Sequence, residues 1–242
     1  MSERGERLIL CGRDNKRLHA AAQNLAARNN VFLLAADVAK PDFPKKFAAL
    51  MSQHKLQRLD CVIHNAAINH MGTLAQTKLE NAENTFRVNT YSVLHVTSAT
   101  EPYLSAAGDP RFILVSSLMK YFPMPGRAVY AASKAAAEQF LLAWKLELKA
   151  RQSPIRVQIF RPAGIETDFH HNTTTDGEAP KSDISRMSAA RVARYLADFT
   201  QQNRREMAPG YMNKLVAFVA RHFPGVTRRI LLRRYKKHHR SA

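Results

Sequence analysis

Short apolar runs, each closed by a glycine or a small polar residue, alternate along this chain with longer stretches whose apolar positions recur at helical spacing. The runs 7–12, 31–37, 59–65, 111–115 and 155–160 predict strands. Between them, the stretch 16–28, a proline-bearing turn running into a helix through Leu56, the long region 78–104, the run opened by Tyr130 and the stretch 188–201 predict helices. Strands that alternate with helices in this way build a parallel sheet covered on both faces, because each crossover helix must bury its apolar stripe on the sheet. A last short strand is expected within 205–210, and an amphipathic helix over 211–223 that Pro224 and Gly225 break. There are no internal repeats. The boundaries expected are one α/β domain over residues 1–224 and a basic tail over 225–242.

The 242 residues suit a single domain of this class. Cys11 and Cys61 lie in or beside apolar strand-like runs, so buried reduced thiols are expected, with no disulfide or metal framework. No apolar run reaches the ~18 residues of a membrane span, and the charged start does not resemble a signal peptide; a cytoplasmic protein is expected. The net charge of +18 is unevenly placed: after position 203, eleven cations face one acid, Glu206. Such a tail attracts anionic surfaces, a lipid headgroup layer or nucleic acid. Nucleic-acid binding rests on this charge alone.

The chemistry concentrates in the stretch 117–134. Tyr130 and Lys134 are four apart at the head of an alanine-rich run, hence on one helical face. A cation beside a phenol favours phenolate and brings proton transfer closer to neutral pH. Ser117 follows the apolar run 112–115 and is placed to project from a strand end toward the same point; its neighbour Ser116 is the competing choice. Asn89 sits inside the pattern of the long helical region.

In this order and spacing, these residues resemble the short-chain dehydrogenase/reductase family, over about 7–224. Asn89, Ser117, Tyr130 and Lys134 match its catalytic tetrad. Asn65-Ala66-Ala67 resembles the Asn-Ala-Gly turn after the fourth strand, and Pro162-Ala163-Gly164-Ile165-Glu166-Thr167 resembles the segment that holds the nicotinamide. Asp37-Val38 matches the residues that contact adenine, and Arg13 falls where NADP users place a cation for the 2′-phosphate. The resemblance implies a Rossmann-like doubly wound sheet. It implies a dinucleotide, NADP with NAD as the other option, held by Arg13, Asp37, Val38, Asn65, Ala66, Tyr130, Lys134, Pro162, Ile165 and Thr167. It also implies a small hydrophobic alcohol or carbonyl substrate and a homo-oligomer. In the implied chemistry Tyr130 moves a proton, Ser117 holds the substrate oxygen, Lys134 lowers the tyrosine pKa, and Asn89 holds a water.

The family pattern normally opens with a strand and a Thr-Gly-x-x-x-Gly-x-Gly turn whose amides hold the pyrophosphate. No such turn stands here, so the expected architecture lacks the first βα unit, with low stability and poor dinucleotide affinity. Three consequences are open for the sheet: the second and fourth family strands pair directly, another chain fills the place between them, or the sequence begins inside a longer protein, which is the favoured expectation. The rival reading is a catalytically inactive, truncated relative that serves as a binding partner or is a remnant. The polar loop 170–185 is expected to cap the pocket as a mobile segment.

Overall fold

The computed structural model describes residues 6–25, 30–167, 169, 173–177 and 186–239. Strand β1 (Leu8–Gly12) passes through Asp14 into α1 (Asn15–Gln23), where the Asp14 carboxylate caps the helix by accepting from the Arg17 amide at 3.1 Å. The end expected for this helix, near Arg28, lies outside the described residues. Next come β2 (Val31–Ala35), α2 (Phe43–Gln53) with Pro44 in its first turn, β3 (Cys61–His64) and the short β4 (His70–Gly72).

The long helical region is not one helix. It divides into α3 (Leu79–Phe86), a π-helical turn over Arg87–Tyr91, and α4 (Ser92–Ser105). Then come β5 (Arg111–Val115), α5 (Ala128–Ala150), β6 (Arg156–Phe160), β7 (Gly164–Glu166), β8 (Thr174–Asp176), β9 (Arg186–Ser188), α6 (Ala189–Phe199) and β10 (Glu206–Met207). The chain closes with α7 (Tyr211–His222) and α8 (Pro224–His239). Pro224 opens the second helix, where its missing amide hydrogen costs nothing. The expected break is therefore confined to Phe223, and the chain beyond it forms a second helix.

β5 shows why the sheet must be covered twice. Phe112 and Leu114 pack with Leu141, Trp144 and Leu148 of α5 and with α2 and α4, while Ile113 and Val115 join Phe160, Val192 and Phe199 on the opposite face. Alternation on one strand thus feeds two cores. The Phe112 and Trp144 rings meet edge to face at 5.3 Å, and the Trp144 indole donates to Glu101 at 3.0 Å, which satisfies its polar end.

All pairings in the main sheet are parallel, but it is split. β2 pairs with β1, and β3, β5, β6 and β10 form a second ladder in that order. Among the described residues β1 and β3 do not pair with each other; residues 8–12 and 61–64 instead both line one groove of about 2100 Å³. Direct pairing, one of the three consequences open from sequence, is therefore not taken. The expectation of buried cysteines is corrected here too. Cys11 is exposed and Cys61 half-buried, because β1 and β3 each have one side on the groove.

The polar loop also differs from expectation. Its described part is anchored, by polar contacts instead of apolar ones: β8 pairs with β4, and the Asp176 carboxylate accepts from His70 at 3.0 Å, the Lys78 amide at 2.8 Å and Asn81 at 2.9 Å. The bonds from Asn81 and His70 hold the Asp176 carboxyl down at about 2. Residues 170–172 and 178–185 lie outside the described set.

Candidate active site

The site forms where β3, β5 and β6 end, at the carboxyl edge of a parallel sheet. Ser117 stands two residues past β5 in extended backbone, and its hydroxyl accepts from the Met119 amide at 3.1 Å, opening the short 3₁₀ turn Leu118–Tyr121. Tyr130 sits in the first turn of α5. The Ser117 side chain stands close enough to the Tyr130 hydroxyl to lower the phenol pKa. Of the two serines, Ser116 has its hydroxyl buried with no hydrogen-bond partner, and Ser117 is the one that acts on the phenol.

Lys134 lies one turn along α5, buried at 2 % exposure, and its ammonium donates to the Val115 carbonyl at 3.0 Å. Burial pushes the lysine down to about 8 and the Glu138 carboxylate pulls it back up. Burial likewise pushes Tyr130 up to about 12, against the Ser117 hydrogen bond and the positive field of Arg127, which lower it. Burial is the largest influence on the phenol, and Lys134, whose ammonium is turned to a backbone carbonyl, is not among those that lower it.

Asn89 lies in the π turn at 0 % exposure. Its side-chain carbonyl accepts from the Ile68 amide at 2.8 Å, and its amide donates to the Ile68 carbonyl at 2.9 Å and to Ser133 at 3.0 Å. Both donors are spent, so the side chain ties the chain after β3 to α5. The extra residue of a π turn is what swings an asparagine in the middle of a helix onto this task.

All ten residues expected to hold a dinucleotide line the same groove: Arg13, Asp37 and Val38 near the ends of β1 and β2, Asn65 and Ala66 after β3, Tyr130 and Lys134 on α5, and Pro162, Ile165 and Thr167 after β6. The Asp37 carboxylate also accepts from the Ala39 amide at 2.9 Å, which shapes the turn after β2. Asp14, the acid next to Arg13, is taken up by capping α1. Among the described residues no group of three or more histidine, cysteine or acidic side chains is placed to hold a metal.

Sequence reasoning missed three residues. Arg127 is buried and lines the groove beside Tyr130. Glu138 extends the Tyr130–Lys134 face by one more turn, a four-residue spacing that was available as a signal. His64, just before Asn65, is buried with Nε2 at 2.9 Å from the Ser92 hydroxyl and Nδ1 without a partner. Burial, and after it the Lys134 charge, press His64 from 6.5 to about 4. Its folded value is depressed, so the unfolded chain takes up the proton first. Stability present above pH ~6.5 is then lost as pH falls toward ~4, by about 3 kcal/mol. Urea titrations across that range are expected to show this slope, and His64→Gln is expected to flatten it.

A hydroxyl pair and a buried lysine at the carboxyl edge of a doubly wound sheet define a class of α/β oxidoreductases. The comparisons agree: residues 1–178 match the family model described as short chain dehydrogenase. The chain belongs to that family. It is 25 % identical to Dehydrogenase/reductase SDR family member 7B of Mus musculus over 98 % of this chain and 76 % of that protein. It is 31 % identical to the putative oxidoreductase SadH of Mycobacterium tuberculosis, over 48 % of this chain and 43 % of that one. A short-chain dehydrogenase from Streptomyces avermitilis superposes with TM-score 0.77 at 19 % identity, covering 99 % of this chain and 90 % of its own. One from Burkholderia cenocepacia in complex with NADP superposes with TM-score 0.74 at 22 % identity, covering 95 % and 88 %. These likenesses establish the Rossmann-like fold.

Proposed function

We propose that this chain is an NADP-dependent oxidoreductase that interconverts a hydrophobic alcohol and its carbonyl. The observation that carries the reading is the Ser117–Tyr130 hydroxyl pair, one helical turn from a buried lysine, facing a groove. When bound, the dinucleotide supplies or takes up the hydride. Ser117 holds the substrate oxygen and stabilises the charge that develops on it. Tyr130 delivers its hydroxyl proton to that oxygen in reduction and removes it in oxidation. Lys134 supplies positive charge on the same face, and Arg13 selects the 2′-phosphate.

The residues present fit the two ends of such a ligand but not its middle. Donors for the nicotinamide ribose and the adenosine line the groove. Among the described residues, however, no glycine-rich turn opens a helix there, and the N-terminus of α1 is already occupied by the Asp14 carboxylate, which repels phosphate. This mismatch favours the second reading, a catalytically inactive relative that acts as a binding partner. NADPH titration separates the two. The expected dissociation constant lies between ~1 µM and ~1 mM, about −8 to −4 kcal/mol, with NADH weaker and with carbonyl-dependent oxidation of NADPH across a panel of ketones and aldehydes. No binding at millimolar NADPH and no turnover would leave the binding-partner reading in place. Self-association belongs to the same proposal, supported by exposed Tyr91 in the π turn, Leu94 on α4 and Leu146 on α5. So does peripheral membrane contact through the basic carboxyl-terminal helices.

A further inference from the structure

The helices α7 and α8 carry a feature that catalysis leaves unused. Among the described residues, fourteen large apolar side chains are exposed, and nine of them lie between Tyr211 and Leu232. Tyr211, Phe218, Phe223, Val226 and Leu232 are between 49 % and 81 % exposed and do not line the groove. The Phe218 ring sits 4.6 Å from His222 and 6.4 Å from Phe223, an aromatic cluster in the open. Interleaved with them, Lys214, Arg221, Arg228, Arg229, Arg233 and Lys236 are exposed as well, and neither helix contains an acid. No described helix is long and apolar enough to cross a membrane.

Apolar side chains among cations, on helices that carry no acid, fit one kind of partner better than another. A second copy of the chain would bring equally positive helices against these, and like charges repel. Nucleic acid would use the cations and leave the isoleucine, valine and leucine side chains in water. An anionic lipid surface uses both, since acyl chains take the apolar side chains and headgroups take the charges.

We infer that α7 and α8 form a docking hairpin for an anionic bilayer surface. The inner sides of the same helices, with Met212, Leu215, Val216, Val219, Ile230 and Leu231, line the groove, and α7 packs on the 3₁₀ turn next to Ser117. The docked chain therefore receives its substrate from the lipid phase through the opening beneath the hairpin. This delivery step rests on the oxidoreductase reading; the docking itself does not.

Co-sedimentation of the full chain with vesicles tests the docking without any turnover. The chain is expected to pellet with vesicles of phosphatidylcholine mixed with phosphatidylserine, to stay in solution with phosphatidylcholine alone, and to be released by molar salt, where screening is strongest. The triple variant R228A/R229A/R233A is expected to bind about a hundredfold more weakly, at about fivefold per charge. F218S/F223S is expected to lose binding at unchanged charge, with thermal melting unaltered because both rings are exposed. Equal binding to neutral and anionic vesicles, no binding to either, or binding insensitive to both variants overturns the proposal. So does tighter binding to polyuridine than to anionic vesicles, or a change from dimer to monomer in F218S/F223S, which would assign the surface to a second copy. A chain that docks but does not oxidise NADPH keeps this inference and loses the catalytic reading; the converse result does the opposite.

Discussion

Tyr130→Phe is expected to reduce carbonyl-dependent NADPH oxidation by about 10² to 10⁴-fold, the range that a single positioned proton donor contributes. The substitution keeps the ring that meets Phe169 edge to face at 5.9 Å and removes only the hydroxyl on which Ser117 acts. Its cost to stability is accordingly at most about 1 kcal/mol, the scale of one hydrogen bond. The loss is expected in kcat with KM for NADPH nearly unchanged, because the proton moves only in the chemical step. Activity within tenfold of the original chain would remove Tyr130 from the mechanism. The direction of pH dependence comes from burial. With the phenol pushed up to about 12, the protonated form dominates at neutral pH, so carbonyl reduction finds its donor ready. Alcohol oxidation needs the phenolate, and its rate is expected to rise with pH across the alkaline range.

The second large effect is on stability. Glu138 is fully buried and accepts from Arg161 at 2.8 and 2.7 Å and from Lys120 at 2.5 Å; Arg161 in turn donates to Glu206 at 2.7 Å. This cluster joins α5 to the ends of β6 and β10, with the Tyr121 ring 4.8 Å from the Lys120 ammonium and 5.6 Å from the Arg161 guanidinium. Glu138→Ala leaves a buried guanidinium without its main partner, and the expected loss is about 3 to 5 kcal/mol, read from urea unfolding. The paired change E138M/R161M removes both charges and is expected to recover most of that loss, since a buried ion pair is often matched by apolar residues of similar volume. If the double variant were as unstable as the single one, packing rather than charge would hold this junction. Glu138 also raises the pKa of Lys134. Its removal is expected to move the alkaline limit of Lys134-dependent activity to lower pH.

Much of the architecture is set by residues close together in sequence. Apolar runs of strand length, helical spacing along 130–150, and the serine, tyrosine and lysine positions all rest on local stereochemistry, and strand β5 has the predicted bounds. The groove-lining set was legible for a related reason: in a parallel sheet, residues just past the strands share one edge, whatever their separation in sequence. Asn89 was located correctly, but its surroundings were not. The π turn that directs its amide to Ile68 and Ser133 depends on how α4 meets α5.

What the sequence alone determined is thus the identity, order and sheet edge of the candidate site's side chains, because these depend on backbone periodicity and on chain direction. Tertiary structure alone decided the protonation of Tyr130 and Lys134, the split between β1 and β3, the exposure of Cys11 and the apolar, cationic outer face of α7 and α8. Each of those is set by the groups that surround it in space, and desolvation and burial are sums over neighbours that no local pattern contains.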